Sequence, residues 1–268
     1  MDRPIVALDT ERPAARGAPW LLEVAAVRVE GGEIVDQFSS LVCPGIPIEP
    51  AATEVHGLTD DDVRDAPSTG DVLGALAEWI GEDWMAAHRA EVDAELLAFE
   101  YARAGLEAPP GPFLDTLALS RRYLPEAPDH RLTTLVEVLD LEHEESHRAL
   151  ADAVACWKVL EECAERAGGL ESTTASLLLS QCGTPTTVAS KAPRSPRLKP
   201  RQRALARAIE QAEPIRLVYG SGPEPPAALP VLPLFLDQRK GKGYLEAECQ
   251  QSGLLKTYLI ERIQKVTS

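Results

Sequence analysis

Asp9 and Glu11 end the apolar run Ile5-Val6-Ala7-Leu8, Asp93 lies five residues after His88, and His147 lies five residues before Asp152. Four carboxylates and one imidazole are the parts required for two-metal phosphodiester hydrolysis. Mg²⁺ takes oxygen ligands and keeps several of its waters, so a few carboxylates suffice to hold it. Two such ions about 4 Å apart activate a water and stabilise the leaving oxygen. A neutral histidine beside that water takes its proton.

Each piece has a plainer reading when taken singly. Residues two apart on a strand face the same side, so Asp9 and Glu11 point together, as many solvated edge pairs do. Asp93 and Asp152 fall where helices begin, a favoured place for an anion, and His147 alone reads as a surface histidine. The set changes the balance. Converging carboxylates repel and raise one another's pKa unless a cation neutralises them, so convergence and metal binding imply each other.

These residues need elements to carry them. Pro4–Leu8 reads as a strand, followed by Leu21–Val29 and, after the turn Gly31-Gly32, Ile34–Val42. Pro44–Pro50 is a loop, and Thr59 resembles an N-cap with acidic residues 60–62 in the first helical turn. Residues 69–80 have amphipathic spacing, Met85–His88 a short strand, and Asp93–Gly105 a helix ending at glycine. Helices are expected over Phe113–Leu124, Leu132–Leu139 and Ala149–Ala167. This order implies an α/β mixed sheet flanked by helices over residues 1–167.

Residues 168–200 accumulate Ser, Thr, Pro and basic residues and read as a linker, with a short helix over Thr174–Leu179. Residues 201–268 then form a small module. A helix over Arg201–Ala212 is followed by strands Ile215–Tyr219, Leu232–Leu236, Tyr244–Cys249 and Leu255–Ile260.

The charge divides with the chain. Residues 1–167 hold 13 Lys/Arg against 34 Asp/Glu, and residues 168–268 hold 14 against 8. An acidic body repels nucleic acid at long range, and a basic tail offsets that. No apolar run reaches the ~20 residues of a membrane span, and no basic-then-apolar leader is visible. Five scattered cysteines without CxxC spacing imply reduced thiols. The expectation is a cytoplasmic protein without a membrane partner.

The three acidic segments resemble the exonuclease motifs of the DEDDh 3′–5′ exonuclease family, the polymerase III epsilon-like proofreading branch of the ribonuclease H-like fold. The flanks match as well: Leu22-Glu23-Val24-Ala25-Ala26, Val55-His56-Gly57-Leu58, Leu114-Asp115-Thr116-Leu117 and His130-Arg131-Leu132. The resemblance covers roughly residues 3–166. It implies that Asp9, Glu11 and Asp152 hold one divalent cation, Mg²⁺ or Mn²⁺, that Asp9 bridges to a second, and that Asp93 supports the second. It implies His147 as general base, and Thr10, Val55, His56 and Leu58 as substrate-binding positions. The implied substrate is DNA or RNA with a 3′ end.

Two departures stand out. The short turn after Glu11 is replaced by Arg12-Pro13-Ala14-Ala15-Arg16-Gly17, and Arg89 stands where the family has asparagine, which makes it either a substrate-phosphate contact or a solvated cation. Residues 201–268 resemble a WYL domain, which implies an Sm/SH3-like barrel. Tyr244 and Leu245 fit its name motif, with Gly243 in place of tryptophan. Arg216, Arg239, Lys240, Lys242, Lys256 and Arg262 are candidate contacts to nucleic acid, since basic residues interleaved with tyrosines suit single strands. The rival readings are a non-catalytic nucleic-acid- or ligand-responsive binding protein on an exonuclease scaffold, and an enzyme regulated by a small ligand at the C-terminal module.

Overall fold

The computed structural model describes residues 1–14, 19–141, 148–220 and 228–267. The chain divides into two units between Ala192 and Pro193. In the first unit, β1 (Ile5–Glu11), β2 (Glu23–Glu30) and β3 (Glu33–Leu41) form an antiparallel meander. Helix α1 (Pro50–His56) opens with proline, whose fixed φ suits a first helical turn, and closes on Gly57 at φ 76°. Next come α2 (Thr69–Ile80), β4 (Trp84–Ala87) and α3 (Glu91–Ala104). The unit ends with β5 (Pro112–Asp115), α4 (Thr116–Tyr123), α5 (Leu132–Val138), α6 (Ala149–Gly168), α7 (Ala175–Gln181) and β6 (Thr186–Thr187).

Among the described residues, six strands form one mixed sheet in the order β3-β2-β1-β4-β5-β6. β1, β4 and β5 are parallel, and the outer pairings are antiparallel. Alternation along β1 sends Val6 and Leu8 into a core with α2 and α3, and Ile5 and Ala7 into a core with α6. Trp157 of α6 is fully buried in that second core, where truncation to alanine costs about 3–5 kcal/mol. This is the mixed sheet flanked by helices that the sequence implies.

Three local expectations are corrected. Thr59 does not cap a helix; its amide and hydroxyl both donate to Asp62 Oδ2, at 2.7 and 2.6 Å, and close a turn. The helix of this region is α1, upstream of it. Phe113 and Leu114 do not begin a helix. Both are buried in β5, and α4 starts at Thr116, where Asp115 accepts from the Leu117 amide. A four-residue strand buried on both faces has no alternation to read. Gly111 leads into it because a Cβ there would lie 2.1 Å from the Asp83 carbonyl oxygen. Residues 168–192 belong to the first unit and not to a linker: the short helix expected over Thr174–Leu179 is α7, β6 follows it, and buried Ala175, Leu178 and Val188 anchor the stretch. The Ser/Thr-rich composition masks these few apolar anchors.

In the second unit, α8 (Arg203–Gln211) precedes β7 (Ile215–Tyr219), β8 (Ala228–Arg239), β9 (Lys242–Cys249), β10 (Leu255–Leu259) and β11 (Ile263–Thr267). Among the described residues these strands form one antiparallel sheet, ordered β10-β9-β8-β7-β11. Its core joins Leu205 and Ala208 of α8 to Leu217, Val231, Leu245 and Tyr258. β11 is absent from the sequence expectation because a register shift between Ile263 and Lys265 breaks its alternation. Buried Gln202 ties the helix entry to the sheet, donating to the Ile260 carbonyl at 2.8 Å and accepting from the Lys199 amide at 3.1 Å. Among the described residues no helix is long and apolar enough to cross a membrane.

Candidate active site

The site forms where β1 runs out of the core. Asp9 and Glu11 continue the face of Ile5 and Ala7, toward α6, whose first turn carries Asp152. Thr10 continues the opposite face, toward α3, whose first turn carries Asp93. Asp9, Glu11 and Asp152 each bring one carboxylate oxygen within 4.8 Å of the others. Asp93 is buried, and the Thr10 hydroxyl donates to its Oδ1 at 2.7 Å. Beside it, Arg12 Nη2 donates to the Val92 carbonyl at 2.9 Å, fixing the strand exit to the start of α3.

The electrostatics follow from this crowding. Burial, then the charges of Asp93, Glu11 and Asp152, hold the Asp9 carboxyl well above the usual carboxylate range. Burial, with Asp152, Glu23 and Asp93, pushes Glu11 up to about 8, against the opposing Arg148. Burial raises Asp93 to about 6, opposed by the Thr10 hydrogen bond and the Arg12 charge. Carboxylates that resist ionisation together become charged together when a cation enters. An all-oxygen donor set of this kind fits a hard divalent ion such as Mg²⁺ or Mn²⁺.

A further charged residue belongs to this architecture and escapes sequence reasoning. Glu23 is 2% exposed and lies opposite Glu11 in the β1–β2 ladder. Its Oε1 accepts from Arg148 Nη2 at 3.0 Å, and its Oε2 accepts from Arg148 Nε and the Ala149 amide, both at 3.3 Å. Ala149 is the first residue of α6. Glu23 thus fixes the start of the helix that presents Asp152. The available signal is a single acid inside the apolar run Leu21–Val29, where a strand buried on both faces has no solvent side for it.

The loop after Glu11 is held at its far end. Buried Glu100 of α3 accepts from the Leu21 amide at 2.7 Å and pairs with Arg103 Nη1 at 2.7 Å. The Arg103 guanidinium stacks 3.8 Å from the Trp20 ring centroid and donates to the Pro19 carbonyl at 2.8 Å.

The remaining candidates separate. His147 lies outside the described residues. Thr10 contacts Asp93 through its hydroxyl. Val55, His56, Leu58 and Arg148 line one open hollow of about 520 Å³. Within it Val55 is exposed, whereas Leu58 packs with Leu22, Ile48, Ala52 and Val63. His56 Nδ1 accepts from the Leu58 amide at 3.1 Å, which leaves Nε2 to donate to the Arg12 carbonyl at 3.2 Å. Arg89 is exposed at φ 68°, and its amide donates to Asp115 Oδ1 at 3.1 Å. In the second unit, Arg216, Lys240, Lys242, Lys256 and Arg262 are exposed. Arg239 differs from them: its Nε pairs with fully buried Asp237 at 2.7 Å, and its guanidinium lies 4.3 Å from the Tyr244 ring centroid. It is a structural cation and not a free phosphate contact.

An exonuclease family model matches residues 6–160, more than half of the chain. The chain belongs to the exonuclease family. A WYL-domain model matches residues 201–268. The DNA polymerase III PolC-type proteins of Oceanobacillus iheyensis and Bacillus subtilis are 40% and 39% identical over 150 and 151 residues. Each match takes in 54% of this chain, and the chain spans 10% of the length of these curated relatives. Among solved structures, exonuclease X in complex with 5′-overhanging duplex DNA shares 28% identity at a TM-score of 0.55, covering 67% of this chain and 99% of that one. E. coli exonuclease I in complex with a dA16 oligonucleotide matches at 13% identity and a TM-score of 0.56, covering 100% of this chain and 65% of that one. At that identity the likeness is one of fold. The nuclease domain of a DEDDh family member bound to rAMP matches at 18% identity and a TM-score of 0.52, covering 62% of this chain and 92% of that one, again a likeness of fold.

Proposed function

We propose that this protein is a metal-dependent 3′→5′ exonuclease that hydrolyses phosphodiester bonds of DNA or RNA and releases nucleoside monophosphates. The observation that carries the reading is the meeting of Asp9, Glu11 and Asp152 oxygens within 4.8 Å beside buried Asp93. Two divalent cations, Mg²⁺ or Mn²⁺, supply water activation and neutralisation of the leaving oxygen when bound. Asp9, Glu11 and Asp152 hold the first, and Asp9 and Asp93 serve the second. Thr10 favours the ionised form of Asp93 against burial and aims it by donating to it. His147 takes the proton of the attacking water. Val55, His56 and Leu58 seat the terminal nucleotide in the hollow they line.

DNA has first place as substrate, since the relatives at 39–40% identity are DNA polymerases. In the WYL-like module, Arg216, Lys240, Lys242, Lys256 and Arg262 present exposed charge suited to holding a polynucleotide.

The test is a time course on 5′-labelled single- and double-stranded DNA and RNA with Mg²⁺ or Mn²⁺. Stepwise shortening from the 3′ end with monophosphate release is expected. Absence of shortening on every substrate contradicts the reading and favours a non-catalytic scaffold.

A further inference from the structure

A second constellation stands next to the acids, at the carboxyl ends of β4 and β5. The β1–β4 ladder ends by pairing Ala7 with Ala86, and His88 follows just after β4 at the same edge of the sheet to which β1 carries Asp9. Ligands of open α/β sheets gather at this edge. A groove of about 740 Å³ opens here, with Arg89, Arg121 and Arg131 along it.

The groove has a fixed floor. His88 Nδ1 accepts from the Thr116 hydroxyl at 2.9 Å, and His88 Nε2 donates to the His130 carbonyl at 2.8 Å. One Asp115 oxygen, Oδ1, accepts from both the Arg89 and Leu117 amides. That double acceptance holds Arg89 in the left-handed region, which residues with side chains rarely adopt.

The acids of the groove are already engaged. Asp115 serves those two amides, Asp129 accepts from the Arg131 amide at 2.9 Å, and Glu91 pairs with Lys191 at 2.6 Å. Arg89, Arg121 and Arg131 are exposed, and among the described residues none of them forms an ion pair. Residues 1–167 are strongly acidic. Arg89 and Arg131 feel the nearby charges of Glu91 and Asp129, but three guanidiniums in one groove without an ion pair among the described residues are a local exception in such a body, and guanidinium is the side chain best matched to phosphate.

We propose that this groove is a phosphate track, in which Arg121 and Arg131, continuing from Arg89, bind internucleotide phosphates of the polynucleotide at positions away from the cleaved bond. The proposal rests on the nuclease reading for its ligand, and it adds two residues and a path to it. Contacts of this kind recognise backbone and not bases, so DNA and RNA should both use the groove.

The test measures binding apart from turnover. The full chain, with Ca²⁺ in place of Mg²⁺, is titrated against fluorescent single-stranded DNA and RNA 12-mers between 50 and 200 mM NaCl. Each phosphate contact to a single strand contributes about 0.7 to the slope of log Kd against log salt. The double variant R121A/R131A is expected to lower that slope by about 1.4 and to weaken binding about ten-fold at 0.1 M salt. R121K/R131K keeps the charges and is expected to keep most of the slope. An unchanged slope and Kd in R121A/R131A overturns the track. So does equal loss in the lysine variant, which marks a packing role. Failure of the wild-type protein to cleave any oligonucleotide in Mg²⁺, with the binding slope altered as expected, overturns the nuclease reading while leaving the track standing.

Discussion

Glu23 lies opposite Glu11 in the β1–β2 ladder, and Arg148 grips Glu23 through both carboxylate oxygens. One acid of the facing pair is neutralised from within the fold, and the other is left to the metal site. Arg148 is about two-fifths exposed and Glu23 is buried, so the two ends of the pair are not equivalent. Glu23→Gln keeps the shape and one acceptor, and is expected to cost about 1–2 kcal/mol. Arg148→Ala strands a buried carboxylate and is expected to cost more, about 2–4 kcal/mol. Urea unfolding of the two variants checks the order.

The pH dependence of the metal-free protein follows from Glu11. Its carboxyl is raised from 4.5 to about 8 in the fold, so the folded state binds the proton more tightly than the unfolded state. Stability therefore falls as pH rises between about 4.5 and 8. Asp9, held high by burial and its neighbours, acts in the same direction. In EDTA, Glu11→Gln is expected to gain Tm relative to wild type as pH is raised from 5 to 8.5. Thermal melts at several pH values check this, and added Mg²⁺ is expected to remove the advantage.

The meeting of Asp9 and Glu11 of β1 with Asp152 of α6 is legible because the chemistry is demanding: no solvated role requires these acids and Asp93 in that order with those flanks. The strands that carry them were legible for the same reason that they are buried, as runs of Val, Ile, Leu and Ala. Glu23 was not legible, because an acid in a strand is ordinarily an outward one. Phe113 and Leu114 were not, because a four-residue strand has no period of its own. Within residues 168–192 the short helix is legible, but the packing of the stretch is not, because three buried residues, Ala175, Leu178 and Val188, decide its place against a polar background. Arg239 counts as basic in the sequence, and only the fold reveals Asp237 beside it.

Thr10 offers a sharper probe of Asp93. The hydroxyl lowers the Asp93 pKa against the effect of burial. Thr10→Val keeps the volume and removes the donor, so the Asp93 carboxyl rises from about 6 and is protonated over a wider pH range. The acid limb of the pH profile of kcat/KM is expected to move to higher pH. The variant is expected to lose about 1–3 kcal/mol of stability from the unsatisfied buried carboxylate. Mn²⁺-supported rates between pH 5.5 and 9 check the shift.

The resemblance to a WYL domain sets Gly243 against that motif's tryptophan, and the fold leaves no room for a side chain there. A Cβ at 243 would lie 2.8 Å from Pro196 Cβ and 3.1 Å from Ile260 Cδ1. Pro196 therefore fills the space that a side chain would take. Gly243→Trp is expected to destabilise the second unit by about 1–3 kcal/mol or more through overpacking. Removing the obstruction with Pro196→Gly in the same chain is expected to recover part of the loss. Thermal melts of the single and double variants check the coupling.

The most direct test of the metal centre is a calorimetric titration of Mn²⁺ into the metal-free protein at pH 7.5, in two buffers of different ionisation enthalpy. Wild type is expected to bind with net proton release, because Asp9 and Glu11 must give up the protons that burial makes them keep. Asp9→Ala and Asp152→Ala are expected to abolish that binding. Equal binding by all three proteins, or binding by wild type with no proton release, contradicts the assignment of Asp9, Glu11 and Asp152 as the ligands of a catalytic cation.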